Sequence, residues 1–138
     1  MKIIVDTNIL LSALIKDSIT RNIIIEAEWK FFYPEISFHE VRKYKDLVLE
    51  KSGMTEQEYI LVLNKLFHNI KLIQEESIYL FLKEADNLLG KIDIDDVAFL
   101  AAALSIPNSI IWSDDCDFEK QNQVRVLKTK DVVRLFYS

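Results

Sequence analysis

Lys2-Ile3-Ile4-Val5-Asp6-Thr7-Asn8-Ile9-Leu10-Leu11-Ser12-Ala13-Leu14 is the stretch on which the fold turns. Residues 2–5 form a short apolar run of β-branched side chains, the pattern of a strand. Asp6, Thr7 and Asn8 are all helix-capping types, and the residues from Ile9 onward read as a helix start. Strand, polar junction, helix: this order is the opening of an α/β unit.

The same alternation continues outward. A helix is expected over 20–28, then a strand at Trp29–Tyr33 closed by Pro34. A helical pattern runs from Ser37 to about Glu50 and stops at Gly53, and Thr55-Glu56-Gln57-Glu58 opens an amphipathic helix. Asn69–Ile73 is expected as a third strand, followed by helices over 75–89 and 95–105, the latter stopped by Pro107. Ser109–Trp112 and Val124–Leu127 complete five strands, with Thr129 capping a last helix. The expected class is α/β: a three-layer sandwich around a central, mostly parallel five-stranded sheet, as one domain over 1–138.

Half of the 138 residues are apolar, and only two Gly and two Pro interrupt them. Cys116 is the single cysteine, so no internal disulfide is available. The apolar run after Met1 is too short for a signal segment, and no stretch approaches the roughly 18 apolar residues of a membrane span. The expectation is a cytoplasmic chain without a membrane. Charge poses the harder question: 17 basic residues face 22 acidic ones, a net of −5. Proteins that hold nucleic acid through phosphate neutralisation alone are usually basic. Either nucleic acid is not the partner, or some acids lie where bound cations reverse the local sign.

The positions of the acids favour the second reading. Open parallel sheets bind ligands outside the carboxyl ends of their strands, near the point where strand order reverses. Asp6 ends the first strand, and Ser113-Asp114-Asp115-Cys116-Asp117 follows the fourth. Asp93, Asp95 and Asp96 precede the apolar helix Val97–Leu104, and Glu40 stands early in its own helix. Each acid has a purely structural explanation. Ser37 to Glu40 spells a capping box, Asp6 suits an N-cap, the three acids before the apolar helix favour its dipole, and the others suit turns. Together, however, clustered carboxylates raise one another's pKa values and are costly without a divalent cation. His39 and His68 have no second His or Cys at ligand spacing, so an all-oxygen set points to Mg²⁺ or Mn²⁺. Such a site suits phosphodiester hydrolysis.

Residues 5–14, the helix carrying Glu40, the run Asp93–Leu104 and the run Ile110–Phe118 together resemble the PIN-domain family across nearly the whole chain. The resemblance implies a five-stranded parallel sheet and Mg²⁺- or Mn²⁺-dependent cleavage of RNA. It assigns Asp6, Glu40, Asp96 and Asp115 as the acids of the site and Asp117 as an auxiliary one, with Asp6, Asp96 and Asp115 as metal ligands. Thr7, Asn8 and Ser113 support them; Ser113 stands where Thr is commoner but keeps the hydroxyl. Asp93, one turn before Asp96, is a further candidate, whereas Asp95 and Asp114 fall at variable positions. Small members of the family resemble VapC-like toxins restrained by an antitoxin protein, and the resemblance extends to a homodimer. The rival readings are a noncatalytic binding module of the same fold and an RNA-processing nuclease without an antitoxin. A receiver-type phosphate acceptor is disfavoured, because Thr7 and Asn8, not a second acid, follow Asp6.

Arg42, Lys43 and Lys45 read either as a solvated helix face or as a phosphate-steering patch. Trp29, Phe31, Phe32 and Trp112 could stack bases, but their places in or beside strands favour a core role. Cys116 is rejected as a nucleophile, since neighbouring carboxylates disfavour a thiolate.

Overall fold

The computed structural model describes residues 1–89 and 94–138. The first half runs β1 (Lys2–Val5), α1 (Thr7–Ile15), α2 (Ile19–Glu26), β2 (Lys30–Pro34), α3 (Phe38–Lys43), α4 (Lys45–Ser52), α5 (Glu56–Asn69) and β3 (Ile70–Ile73). The second half runs α6 (Glu75–Tyr79), α7 (Leu82–Leu89), α8 (Ile94–Ser105), β4 (Ser109–Trp112), β5 (Arg125–Leu127) and α9 (Thr129–Phe136). Short 3-10 turns occupy Glu35–Ser37 and Cys116–Lys120.

The five strands form one sheet in the order β3-β2-β1-β4-β5, and every pairing is parallel. From β1 the chain winds outward through β2 to β3, then crosses back to place β4 on the other side of β1. Right-handed crossovers in opposite directions put their helices on opposite faces of the sheet. Accordingly α1 packs against α2, α4 and α5 in one group, while α8 packs against α6 and α7 in the other. Parallel strands covered on both faces read as continuous apolar runs, and here Ile3, Ile4 and Val5 of β1 and all of β4 are buried. Strand order reverses between β1 and β4, which is where a ligand crevice is expected.

The strands agree with the sequence reading within a residue; several helix details differ. The helix expected from Ser37 to Glu50 is divided at Tyr44, whose φ of −98° and ψ of 10° interrupt α3 and α4. The helix expected over 75–89 is divided at Leu80 and Phe81, where Phe81 N–H bonds the carbonyl of Ile78 in a tighter turn. Thr129 does not cap the last helix but begins it; Lys128 is the cap, and Asp131 accepts from its N–H at 3.2 Å. Gly53 ends α4 at φ 71°, the left-handed conformation that side chains resist. Asp93 lies outside the described residues. Among those described, no helix is long and apolar enough to cross a membrane.

Candidate active site

Val5 and Trp112 are register partners in β1 and β4, so the residues that follow them leave the sheet side by side. Asp6 N–H continues the ladder to the carbonyl of Trp112 at 3.3 Å. Asp6 is the N-cap of α1, with Oδ1 accepting from Ile9 N–H at 2.8 Å. Its capping role and its place in the site are therefore the same geometry. Ser113, fully buried after β4, hydrogen-bonds Asp6 through its hydroxyl and accepts from Asp115 N–H at 3.0 Å. One hydroxyl thus ties the two loop ends together.

Asp115 caps the following 3-10 turn by accepting from Asp117 N–H at 2.9 Å. Asp96, in the first turn of α8, comes from the opposite layer. Carboxylate oxygens of Asp96, Asp115 and Asp117 lie within 4.8 Å of one another, the one acidic group of this kind among the described residues. Asp6, Thr7, Asn8, Glu40, Asp96 and Asp115 line a polar pocket of about 200 Å³ at this edge, together with Tyr44, Asp95 and Phe99. Asp117 is not on the pocket wall; it stands beside Asp115, where Lys120 Nζ approaches it at 3.4 Å.

Glu40 reaches the pocket because its helix does not use it as a cap. Ser37 makes no side-chain capping bond, and Glu40 Oε1 accepts from Thr7 Oγ1 at 2.9 Å. Thr7 is also 2.8 Å from the Tyr33 hydroxyl, which in turn lies 3.0 Å from the carbonyl of Ser37. Burial pushes the Tyr33 phenol well above its usual range; the Thr7 bond opposes this, and the charges of Glu40, Asp6 and Asp95 add to it. Tyr33 therefore stays a proton donor. The sequence reading missed it, because Tyr33 ends the apolar run Phe31-Phe32-Tyr33 and looks like core.

The Asp6 carboxyl is strongly perturbed: burial pushes it up to about 6 from 3.8. Hydrogen bonds from Ser113 and Ile9 oppose that rise, and the charges of Asp114 and Asp115 reinforce it. Asp114 itself is turned away, with its two oxygens accepting from Thr129 N–H at 2.8 Å and Thr129 Oγ1 at 2.7 Å. Asp95 lines both this pocket and an apolar groove beside it, and lies 4.0 Å from His39. Arg42 and Lys43 lie over the rings of Phe38 and Tyr44, and Lys45 pairs with Glu56 at 3.1 Å.

The sequence matches the PIN domain over residues 4–133, which includes every one of these side chains. The chain belongs to the PIN-domain family. Solved structures that share the fold include two complexes with DNA. VapBC2 from Rickettsia felis, bound to a DNA fragment from their promoter, aligns with a TM-score of 0.69 at 15% identity, covering 93% of this chain and 98% of that one. FitAB bound to an IR36 DNA fragment aligns with a TM-score of 0.60 at 21% identity, covering 91% and 94%. No curated protein sequence matches the chain.

The residues of this PIN domain fit a hard divalent cation. The converging donors are carboxylate oxygens, and the Asp6 carboxyl, raised by burial and further by its acidic neighbours, is the group that a cation would relieve. Nearby nitrogen and sulfur do not complete a softer set: His39 faces Asp95 at 4.0 Å, and Cys116 is exposed.

Proposed function

We propose that this PIN domain is a metal-dependent endoribonuclease. The observation that carries the proposal is the convergence of Asp6, Glu40, Asp96 and Asp115, from four separate stretches of chain, on one small polar pocket at the sheet's switch point. Caps and turns alone would not require four acids to meet.

Asp96, Asp115 and Asp6 would hold Mg²⁺ or Mn²⁺, with Asp117 bracing Asp115. A bound divalent ion of this kind supplies charge neutralisation for a phosphodiester and lowers the pKa of a water. The remaining work falls to the chain. Thr7 holds a Glu40 oxygen at the pocket wall, and the Glu40 carboxylate would orient a water and accept its proton. Asn8 presents an amide at the pocket wall that can hydrogen-bond a phosphate oxygen. Water is the nucleophile in this reading, because the described residues of the pocket wall include no Cys, Ser or His.

The test is cleavage of single-stranded RNA by the purified protein with Mn²⁺ or Mg²⁺. EDTA should abolish it, and Asp6→Ala should lose nearly all cleavage while keeping the fold and most RNA affinity. Interactions that matter chiefly in the transition state cost rate more than binding. Cleavage that survives both EDTA and Asp6→Ala sinks the proposal. The shared fold with VapBC2 and FitAB supports a further element, a restraining protein partner of the antitoxin kind. Co-purification with the product of an adjacent short reading frame, and loss of cleavage in that complex, would test it.

A further inference from the structure

The opposite edge of the sheet carries the reverse charge. Lys2 of β1 is the register partner of Lys30 of β2, and Phe32 is the partner of Lys71 of β3. Side chains two apart along a strand share a face, so all three lysines project from one face at the amino end of three adjacent strands. With Trp29, Phe32 and His68 they line a cleft of about 550 Å³, to whose wall no Asp or Glu among the described residues contributes. The ion pairs among the described residues use His39, Lys45, Lys120 and Lys128 and none of these three. Like charges abreast on neighbouring strands are destabilising, and a chain with 22 acidic residues had partners to offer them. The cleft walls are also fixed. Trp29 is half-buried and held by edge contacts to Phe31 at 6.3 Å and Phe136 at 6.2 Å, and Asn69 Nδ2 donates to the carbonyl of Ile25 at 2.8 Å.

We infer that this cleft is a second binding site, for a segment of single-stranded nucleic acid. Its phosphates would lie among Lys2, Lys30 and Lys71, and a base would pack against Trp29 and Phe32. A volume in the range of small-ligand pockets, about 300–1,000 Å³, suits a nucleotide better than a lone inorganic anion. Aromatic walls beside unpaired cations are the recurring composition of single-strand sites. The acidic pocket lies at the far end of the strands, roughly 15 Å away at about 3.3 Å per residue. The inference is therefore independent of any hydrolytic chemistry there.

The experiment uses ¹⁵N-labelled protein in EDTA, titrated with a short oligouridylate and, separately, with inorganic phosphate. The expected result is movement of the Trp29 indole and Lys71 amide signals with the oligonucleotide. Exchanging Lys2→Ser, Lys30→Ser and Lys71→Ser together should weaken its binding about tenfold or more. The slope of log affinity against log salt should fall by about 2, at about 0.7 per phosphate contact. Shifts confined to residues around Asp6, or a triple variant with unchanged affinity and slope, would overturn the site. Phosphate binding as tight as that of the oligonucleotide would overturn the nucleic-acid assignment in favour of a small anion.

Discussion

Thr7 and Glu40, 33 residues apart, are joined by a 2.9 Å hydrogen bond in which the threonine hydroxyl donates. That bond commits the single Thr7 proton to Glu40, so the 2.8 Å contact with Tyr33 must use the tyrosine proton. The Tyr33 proton has a second acceptor in the Ser37 carbonyl at 3.0 Å, and the phenol is shared between them. Through these contacts α1, β2 and α3 fix the Glu40 carboxylate. Among the described residues no buried side-chain polar atom lacks a partner.

Removing the hydroxyl while keeping the shape should expose that dependence. Thr7→Val takes one hydrogen bond each from the buried Tyr33 phenol and the Glu40 carboxylate, at a cost of about 1–3 kcal/mol. The melting temperature should fall by several degrees, and Thr7→Ser should restore most of it. An unaltered melting temperature in Thr7→Val would mean that the network contributes nothing.

Asp6 sets a pH dependence with a definite sign. Its carboxyl titrates near 3.8 when unfolded and at about 6 when folded, so the folded state binds more protons between those values. Stability is then fully present below the lower value and falls as pH rises toward the upper one, by up to about 3 kcal/mol at about 1.4 kcal/mol per unit. In EDTA, Asp6→Asn should match the parent near pH 4 and be the more stable protein above pH 6. Parallel melting profiles for the two proteins across that range would contradict the assignment.

Divalent ions should reverse that penalty. A ligand that binds only the folded state stabilises it by mass action, so Mg²⁺ or Mn²⁺ should raise the melting temperature of the parent above pH 6. Asp96→Asn should lose most of this gain, because Asp96 belongs to the converging oxygen set. It should also leave the metal-free protein at least as stable, since one repelling charge is gone. An undiminished response to metal in Asp96→Asn would remove that residue from the ligand set.

Much of this was legible in the sequence because parallel strands buried on both faces leave short apolar runs, and the acids at their ends are easy to see. The fate of each acid was not, because local pattern does not decide it. Thr55 to Glu58 and Ser37 to Glu40 both spell a capping box, yet only the first forms one. Glu40 is taken instead by Thr7, a partner that no local reading supplies. Asp114 and Asp115 are adjacent and chemically identical, yet one is held by Thr129 and the other faces the pocket. Tyr33 was hidden for the same reason: its role comes from residues 26 positions before it and four after it.

Ser113 offers the sharpest test of how the two loop ends cooperate. Its fully buried hydroxyl hydrogen-bonds the Asp6 carboxylate and accepts from Asp115 N–H at 3.0 Å. Ser113→Ala removes both contacts with little change in volume. Asp6 loses one of the two hydrogen bonds that hold its pKa down, so the fall in stability above pH 4 should extend to higher pH than in the parent. The Asp115 loop loses its anchor, which should weaken Mn²⁺ binding by about tenfold, the lower end of losses seen when groups supporting metal ligands are removed. Ser113→Thr keeps the hydroxyl and should retain metal affinity within a few-fold. Calorimetric titration of Mn²⁺ into the three proteins separates these outcomes. Equal affinity in Ser113→Ala and the parent would show that Asp6 and Asp115 are positioned independently, and that the serine is only a filler at the end of β4.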